Sequence, residues 1–350
     1  MISVSLVMIV KNEERVLARC LDSFRNVADE IVIVDTGSSD ATKEIAAKYT
    51  DKIYDFEWVD DFAAARNFAF SKATKDYIYS ADADEVIDEE NIRKFINLKE
   101  AMQPEIEIVQ MIYVNRHEFV TTENFERDLR PKLYKRLRSF RWIEPVHESV
   151  SMLPLVFDSD VEILHMPESA HAGRDLKIFE KTIKSQGSLS DRLRHMYAQE
   201  LMLAGEKEEL ERAEDYFRES AFDPESSADV RTESYCVLAR SARLSGKINE
   251  FYKWTLKNIS TTPCSEICCE VGQYFFDIGD YEEASVWFLN AAEETKAVLA
   301  ADAGGAHAYE MLAHCYEKEA GLHPEVKDAC LNLAVEYKAK AKETRKTHGF

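Results

Sequence analysis

Residues 3–42 read SVSLVMIVKNEERVLARCLDSFRNVADEIVIVDTGSSDAT. Ser3–Val10 is an unbroken apolar run of strand length. Glu13–Phe24 then places Val16, Leu17, Cys20, Leu21 and Phe24 at helical spacing, and Glu30–Val34 is a second β-branched run. Short apolar strands separated by amphipathic helices are the pattern of βαβ units around a mostly parallel sheet. Working outward, Asp40–Tyr49 reads as a helix and Lys52–Phe56 as a third strand. Phe62–Ala73 reads as an Ala- and Phe-rich helix, and Tyr77–Ser80 as a fourth strand running into ADADE. Such sheets bind ligands beyond the carboxyl ends of their strands, so candidate chemistry is sought there.

From 105 to 165 the pattern is β-rich, with IEIVQMIYV, PKLYKRL and VEILHM as strands. Beyond about Asp175, Ala, Glu, Lys and Leu recur with helical period. Gly-containing turns appear at 204–209, 245–250 and 278–283, and Gly246 and Gly279 are 33 residues apart. That interval is close to the ~34-residue period of tetratricopeptide helical hairpins. The expectation is an α/β domain over 1–172 and an all-α domain of tetratricopeptide-like hairpins over 173–350. A plain helical bundle is the alternative for the second.

Composition narrows the function. The formal charge is −21, with 65 acidic residues against 44 basic ones, which opposes a general affinity for nucleic acid or anionic lipid. One basic stretch, 127–141, holds seven Arg and Lys residues and reads as a solvated face or a phosphate contact. No stretch approaches the ~18 unbroken apolar residues of a membrane helix. The seven cysteines include Cys236, Cys264, Cys268, Cys269 and Cys315 among helical segments, with no metal-ligand spacing. An odd, scattered set suits a reducing compartment, and a cytoplasmic location is expected.

Three features carry candidate chemistry. Asp82 and Asp84, two apart at a strand end, would present both carboxylates on one face if the backbone is extended. Such a pair suits a hard divalent cation shared with a diphosphate, or else merely caps the next helix. Arg66, in an otherwise apolar helix start, needs a phosphate or an acidic partner such as Asp60, Asp61 or the Asp82–Asp84 pair. Asp35 ends a strand before the small-residue turn TGSSD, which suits a base or ribose. No G-x-x-x-x-G-K-[ST] or G-x-G-x-x-G loop is present.

Together SLVMIVKNEE (5–14), IVIVDTGSSDAT (31–42), DFAAARNFAF (61–70) and ADADE (81–85) resemble family 2 glycosyltransferases of the GT-A fold. The likeness is to the "KNEE" subgroup, which includes lipopolysaccharide-core glucosyltransferases and bacteriocin peptide S-glycosyltransferases. It spans about residues 1–170, and the helical half is similar to extensions some of these enzymes carry. The resemblance implies a UDP-sugar donor, with Mn2+ or Mg2+. Val10, Lys11 and Asp35 would flank nucleobase and ribose, Arg66 would lie by the base or phosphates, and Asp82 and Asp84 would bind ribose and metal. Many members have a second acidic residue where this chain has Thr36, which weakens the assignment of uracil.

Inverting transfer needs a carboxylate to take the acceptor's proton. Trp142-Ile143-Glu144-Pro145-Val146-His147-Glu148 resembles the subgroup's late W…HE motif, and Glu148 is the expected base with His147 orienting it or neighbouring the metal. Glu144 is the rival, and both could instead pair with the 127–141 cations. His165 ends a strand as a further metal ligand or a core histidine. Tyr274, Tyr281 and Trp287 in the helical half are expected in its core. A helical array offers a concave surface for a peptide or protein acceptor, with a surface glycan as the other acceptor class, and the helical region is the expected homodimer face. The alternative is an adaptor whose sheet domain is catalytically silent.

Overall fold

The computed structural model describes residues 1–114, 127–137, 142–147, 149–150, 154–166 and 172–348. They divide into two compact units, one before His171 and one from Ala172 onward.

In the first unit the strands are β1 (Val4–Val10), β2 (Glu30–Asp35), β3 (Ile53–Asp55), β4 (Tyr77–Ala81), β5 (Glu85–Val86), β6 (Ile108–Val114), β7 (Arg127–Lys135) and β10 (Val156–His165). They form one eight-stranded sheet in the order β3-β2-β1-β4-β7-β6-β10-β5. β8 (Trp142–Ile143) and β9 (Ser149–Val150) make a separate ribbon. Strands β3, β2, β1 and β4 run parallel, β7 is antiparallel to both its neighbours, and β10 is parallel to β6. The chain winds outward from β1 to β3 and returns to β4 on the other side of β1. The crevice between the carboxyl ends of β1 and β4 is thus the switch point at which such sheets take ligands.

Both faces of β1 are covered, which is why its sequence is continuously apolar rather than alternating. Val4, Leu6, Met8 and Val10 pack in a core with helix α1 (Leu17–Phe24) and with Phe95 of α4 (Glu89–Ala101). Val7 faces the other way, with Val32 and Val34, against Ala69 of α3 (Phe62–Lys72). Ala63, Ala65 and Ala69 are the buried positions of α3, and their small side chains let it lie close to the sheet. Asp61 caps α3 by accepting from Ala64 N at 2.9 Å.

Two helices are shorter than their periodicity predicts. α1 begins at Leu17 rather than Glu13, and α2 spans only Thr42–Ala46 rather than 40–49. The residues before each are committed elsewhere. The Glu13 N–H donates to Thr42 Oγ1 at 2.7 Å, and the Asp40 carboxylate accepts from Glu14 N at 3.2 Å and from Thr42 N at 3.0 Å.

The second unit is all-helical, α5 (Ala172–Gln186), α6 (Asp191–Ala204), α7 (Lys207–Phe222), α8 (Ala228–Leu244), α9 (Ile248–Ile259), α10 (Ser265–Asp277), α11 (Tyr281–Leu289), α12 (Ala306–Leu322) and α13 (Lys327–His348). Two of the Gly turns are geometrically the same. Gly246 and Gly279 sit at φ +67° and +86°, and in each the next residue's N–H reaches back five positions, Lys247 to Ala242 O at 2.8 Å and Asp280 to Phe275 O at 3.0 Å. That is the Schellman stop, which needs a left-handed residue. Gly205 ends α6 at φ −69°, and Gly321 lies inside α12, so the repeat is not carried through. Tyr274 packs on Phe251 at 5.3 Å, and Trp287 donates to Glu283 at 2.9 Å. Among the described residues no helix is long and apolar enough to cross a membrane.

Candidate active site

The KNEE residues shape one wall of the site. Asn12 takes φ +56°, and its Oδ1 accepts from Ser39 N at 2.8 Å while its own N–H donates to Ser38 Oγ at 3.0 Å. Glu14 Oε2 accepts from Ala41 N at 3.0 Å. The motif is therefore a clamp on the turn after β2, a structural role that its sequence alone does not reveal. Within that turn Asp35 is buried. Its Oδ1 accepts from Gly37 N and Ser38 N, both at 3.0 Å, while its Oδ2, also buried, has no hydrogen-bond partner. A buried carboxylate oxygen without a donor is costly, and it fits a ligand that supplies an N–H or O–H. Thr36 donates through both N and Oγ1 to Val10 O, so the Val10 carbonyl is taken and Lys11 projects as an exposed side chain.

Asp82 and Asp84 do not lie in extended backbone, as the same-face expectation required. The strand stops at Ala81 and the two residues occupy a turn, closed by Glu85 N to Asp82 O at 3.2 Å, that leads into β5. The turn sends them to different partners. Asp82 meets Lys132 Nζ at 3.4 Å and Arg66 at 3.8 Å. Asp84 Oδ2 meets His165 Nε2 at 3.1 Å. Nor does the pair cap the following helix, because Asp88 does so by accepting from Asn91 N at 2.9 Å.

His165 arrives through pairing of β10 with β5, where His165 stands opposite Glu85, and Met166 N donates to Asp84 O at 2.9 Å. Its ring also lies against Tyr113 at 5.2 Å.

Lys132 belongs to the basic run that reads as a solvated face or a phosphate contact. It is instead buried, wedged between Asp82 and Glu85, with its ammonium 4.9 Å from the Tyr113 ring. Among the other described residues of that run, Arg127 pairs with Glu162 and Arg136 donates to the Lys75 carbonyl. Burial alone would raise the Asp82 carboxyl, but the charges of Lys132 and Arg66 outweigh it and hold it well below the usual carboxylate range. Burial pushes the Glu85 carboxyl the other way, upward. Burial also pushes up the Cys20 thiol, which donates weakly to Asp82 O, and this sets it apart from nucleophilic cysteines.

Arg66 donates to Ser80 Oγ and lies 4.9 Å from the Trp142 ring. Asn67 fixes the late segment: its Oδ1 accepts from Trp142 N at 2.9 Å and its Nδ2 donates to Trp142 O at 3.0 Å. Phe62 N adds a bond to Pro145 O at 2.8 Å. Glu144 and His147 take φ +71° and +48°, so 142–147 is a tightly folded turn held on the start of α3. Glu148 lies outside the described residues.

Residues 5–162 match the model of glycosyl transferase family 2. Over that span the amino-terminal unit resembles family 2 glycosyltransferases.

Related sequences include an uncharacterized glycosyltransferase of Rickettsia typhi, 34% identical over 87 residues, or 25% of this chain and 30% of that protein. The SPbeta prophage-derived glycosyltransferase SunS of Bacillus subtilis is 33% identical over 98 residues, 27% of this chain and 23% of that one. A TPR repeat-containing protein of Synechococcus elongatus is 48% identical over 85 residues, 24% of this chain and 21% of it. The matched stretches thus span less than a third of each relative. Among solved structures, glucosyl-3-phosphoglycerate synthase from Mycobacterium tuberculosis in complex with Mn2+ and UDP-glucose superposes with a TM-score of 0.42 at 13% identity, over 54% of this chain and 81% of that one.

In this unit the donor set at Asp84 and His165 fits a divalent ion. A carboxylate oxygen and an imidazole nitrogen, neither fully buried, face each other at hydrogen-bond distance. Asp82, by contrast, is already neutralised by two protein cations.

Proposed function

We propose that the protein is an inverting glycosyltransferase that moves a sugar, glucose or a close relative, from a UDP-sugar to a peptide, protein or surface-glycan acceptor. The observation that supports this reading is the contact of Asp84 with His165 and of Asp82 with Arg66 and Lys132 just past the carboxyl end of β4, with Asp35 ending β2 on the other side of β1. The family match over 5–162 supports the reaction class.

Asp35 accepts from the nucleobase or ribose through its unpartnered Oδ2, beside the backbone of Val10 and Lys11. Asp82, kept ionised by Lys132 and Arg66, accepts from ribose hydroxyls. Arg66 faces the base or the diphosphate from the wall formed by Trp142. Asp84 and His165 hold Mn2+ or Mg2+, which when bound offsets the charge growing on the departing diphosphate. Glu148 removes the proton from the acceptor as it attacks the anomeric carbon, with His147 orienting it. Glu144 is the alternative base.

The test is turnover of UDP-glucose with Mn2+ by the full chain, read as UDP release and as mass added to a peptide or glycan library. Glu148→Gln should retain UDP binding and lose transfer. If Glu148→Gln transfers at the wild-type rate while Glu144→Gln does not, the base is Glu144. If neither variant changes transfer, the base assignment fails.

A further inference from the structure

The cysteine spacing carries no ligand signature, yet folding of the second unit brings two cysteines together. Cys236, within α8, and Cys264, at the N-cap of α10, are both buried, with their sulfurs 3.4 Å apart. Glu266, in the first turn of α10, is 2% exposed. One ligand atom each from Cys236, Cys264 and Glu266 lies within 4.8 Å of the other two. Asn258, fully buried at the end of α9, adds an oxygen 3.8 Å from Cys264 Sγ.

The oxygens are fixed by bonds that leave ligating capacity. Glu266 Oε1 accepts from the N–H groups of Val298 (2.9 Å), Leu299 (2.7 Å) and Ala300 (2.9 Å), whereas Oε2 receives only a longer bond from Val298 at 3.2 Å. Asn258 Nδ2 donates to Thr262 O at 3.0 Å and its Oδ1 accepts from Cys264 N at 3.3 Å, so it is the carbonyl oxygen that lies by the sulfur. Geometry separates a metal from a disulfide here. Two thiolates on one tetrahedral ion, each at about 2.3 Å, stand roughly 3.7 Å apart, so the observed pair would open by a few tenths of an ångström. A disulfide, at about 2.05 Å, would require closing by more than an ångström.

We propose that Cys236, Cys264 and Glu266, with Asn258 as fourth donor, bind a thiophilic divalent cation of the zinc class. On binding, both thiols lose their protons to solvent, the sulfur lone pairs coordinate the ion, and no electrons are transferred. The resulting site carries one net negative charge, offset by the N-terminus of α10 and by the N–H groups of 298–300. Its role is structural: it ties α8, α9 and α10 to the non-helical strap 295–300, where a uniform hairpin array would need no such tie.

The test uses the full chain, reduced and stripped of metal, titrated with Co2+ in excess Mg2+. The expected result is one equivalent giving thiolate-to-cobalt charge-transfer absorption with tetrahedral visible bands, displaced by one equivalent of Zn2+. The signal should survive Asp84→Asn and disappear in Cys236→Ser and Cys264→Ser. If those variants do not fold, the wild-type titration decides: no charge-transfer band from reduced, folded protein overturns the proposal. Persistence of the band in a folded double variant overturns it too. So does a Cys236–Cys264 disulfide in air-exposed protein whose reduced form binds no cobalt.

Discussion

Glu30→Gln should destabilise the amino-terminal unit by an amount that the structure sets and that depends on pH in a definite direction. Glu30 opens β2, its side chain is 3% exposed, and its carboxylate accepts from Ser5, from Lys52, and from Thr74 N and Oγ1 at 2.8 and 2.7 Å. It therefore joins β1, β2, the entry to β3 and the entry to β4 at the amino end of the parallel strands. Burial alone would raise its carboxyl, but these bonds outweigh it and take it from an ordinary 4.5 to about 2. At about 1.4 kcal/mol per unit, that depression corresponds to about 3 kcal/mol. Because the folded state depresses the carboxyl, the stabilisation is complete above about pH 4.5 and fades as pH falls toward 2. Urea unfolding, read by hydrogen exchange of β1 and β2 peptides between pH 7 and pH 4, gives the comparison. The variant should be weaker by about 3 kcal/mol at pH 7, with the gap narrowing at the acid end. Equal stabilities at pH 7, or a gap that widens with acid, would refute the reasoning. Asp35 lies at the other end of β2, so nucleotide binding by folded variant should be unchanged.

Asn67→Ala removes both bonds to the Trp142 backbone, a local loss of about 2 kcal/mol. Transfer should fall at least tenfold while UDP binding persists, and wild-type turnover would show that the 142–147 turn needs no such anchor. Asp84→Asn should weaken Mn2+-dependent UDP binding by at least tenfold, about 1.4 kcal/mol, with circular dichroism unchanged; equal affinity in calorimetry would remove Asp84 from the metal site. In the helical unit, burial and then Asp175 push Glu200 up to about 7. A raised carboxyl penalises folding as pH climbs from about 4.5 to 7, and the penalty is complete above that. Glu200→Gln should therefore raise the melting temperature at pH 8 and converge with wild type near pH 4.5, and a variant that melts lower at pH 8 contradicts this sign.

The parallel half of the sheet was legible because β1 and β2 are covered on both faces, which leaves an apolar run that no polar edge interrupts. Asp35 and Asp82 were legible for a related reason, since they stand where those runs end. The failures came where a residue's partner is remote. Glu13 and Asp40 read as helix starts, yet the KNEE segment and the turn after β2 bond to each other there, and α1 and α2 begin later, at Leu17 and Thr42. The turn at Asp82–Asp84 is set by β5 pairing with β10, and the same pairing brings His165 to Asp84 from 81 positions away. Lys132 was hidden among surface cations, although its place in the buried stretch Lys132–Tyr134 of β7 was a usable hint. Cys236 and Cys264 are 28 positions apart, and only the packing of α8 with α10 joins them.

The most direct test of the central claim is calorimetric titration of the full chain with UDP, UDP-sugars, GDP, dTDP and NAD, each with and without Mn2+. Binding of UDP and UDP-sugars should strengthen with Mn2+, and Asp84→Asn should weaken that Mn2+-dependent binding. Folded protein that binds none of these nucleotides would contradict the claim and leave the helical unit as the working part of an adaptor.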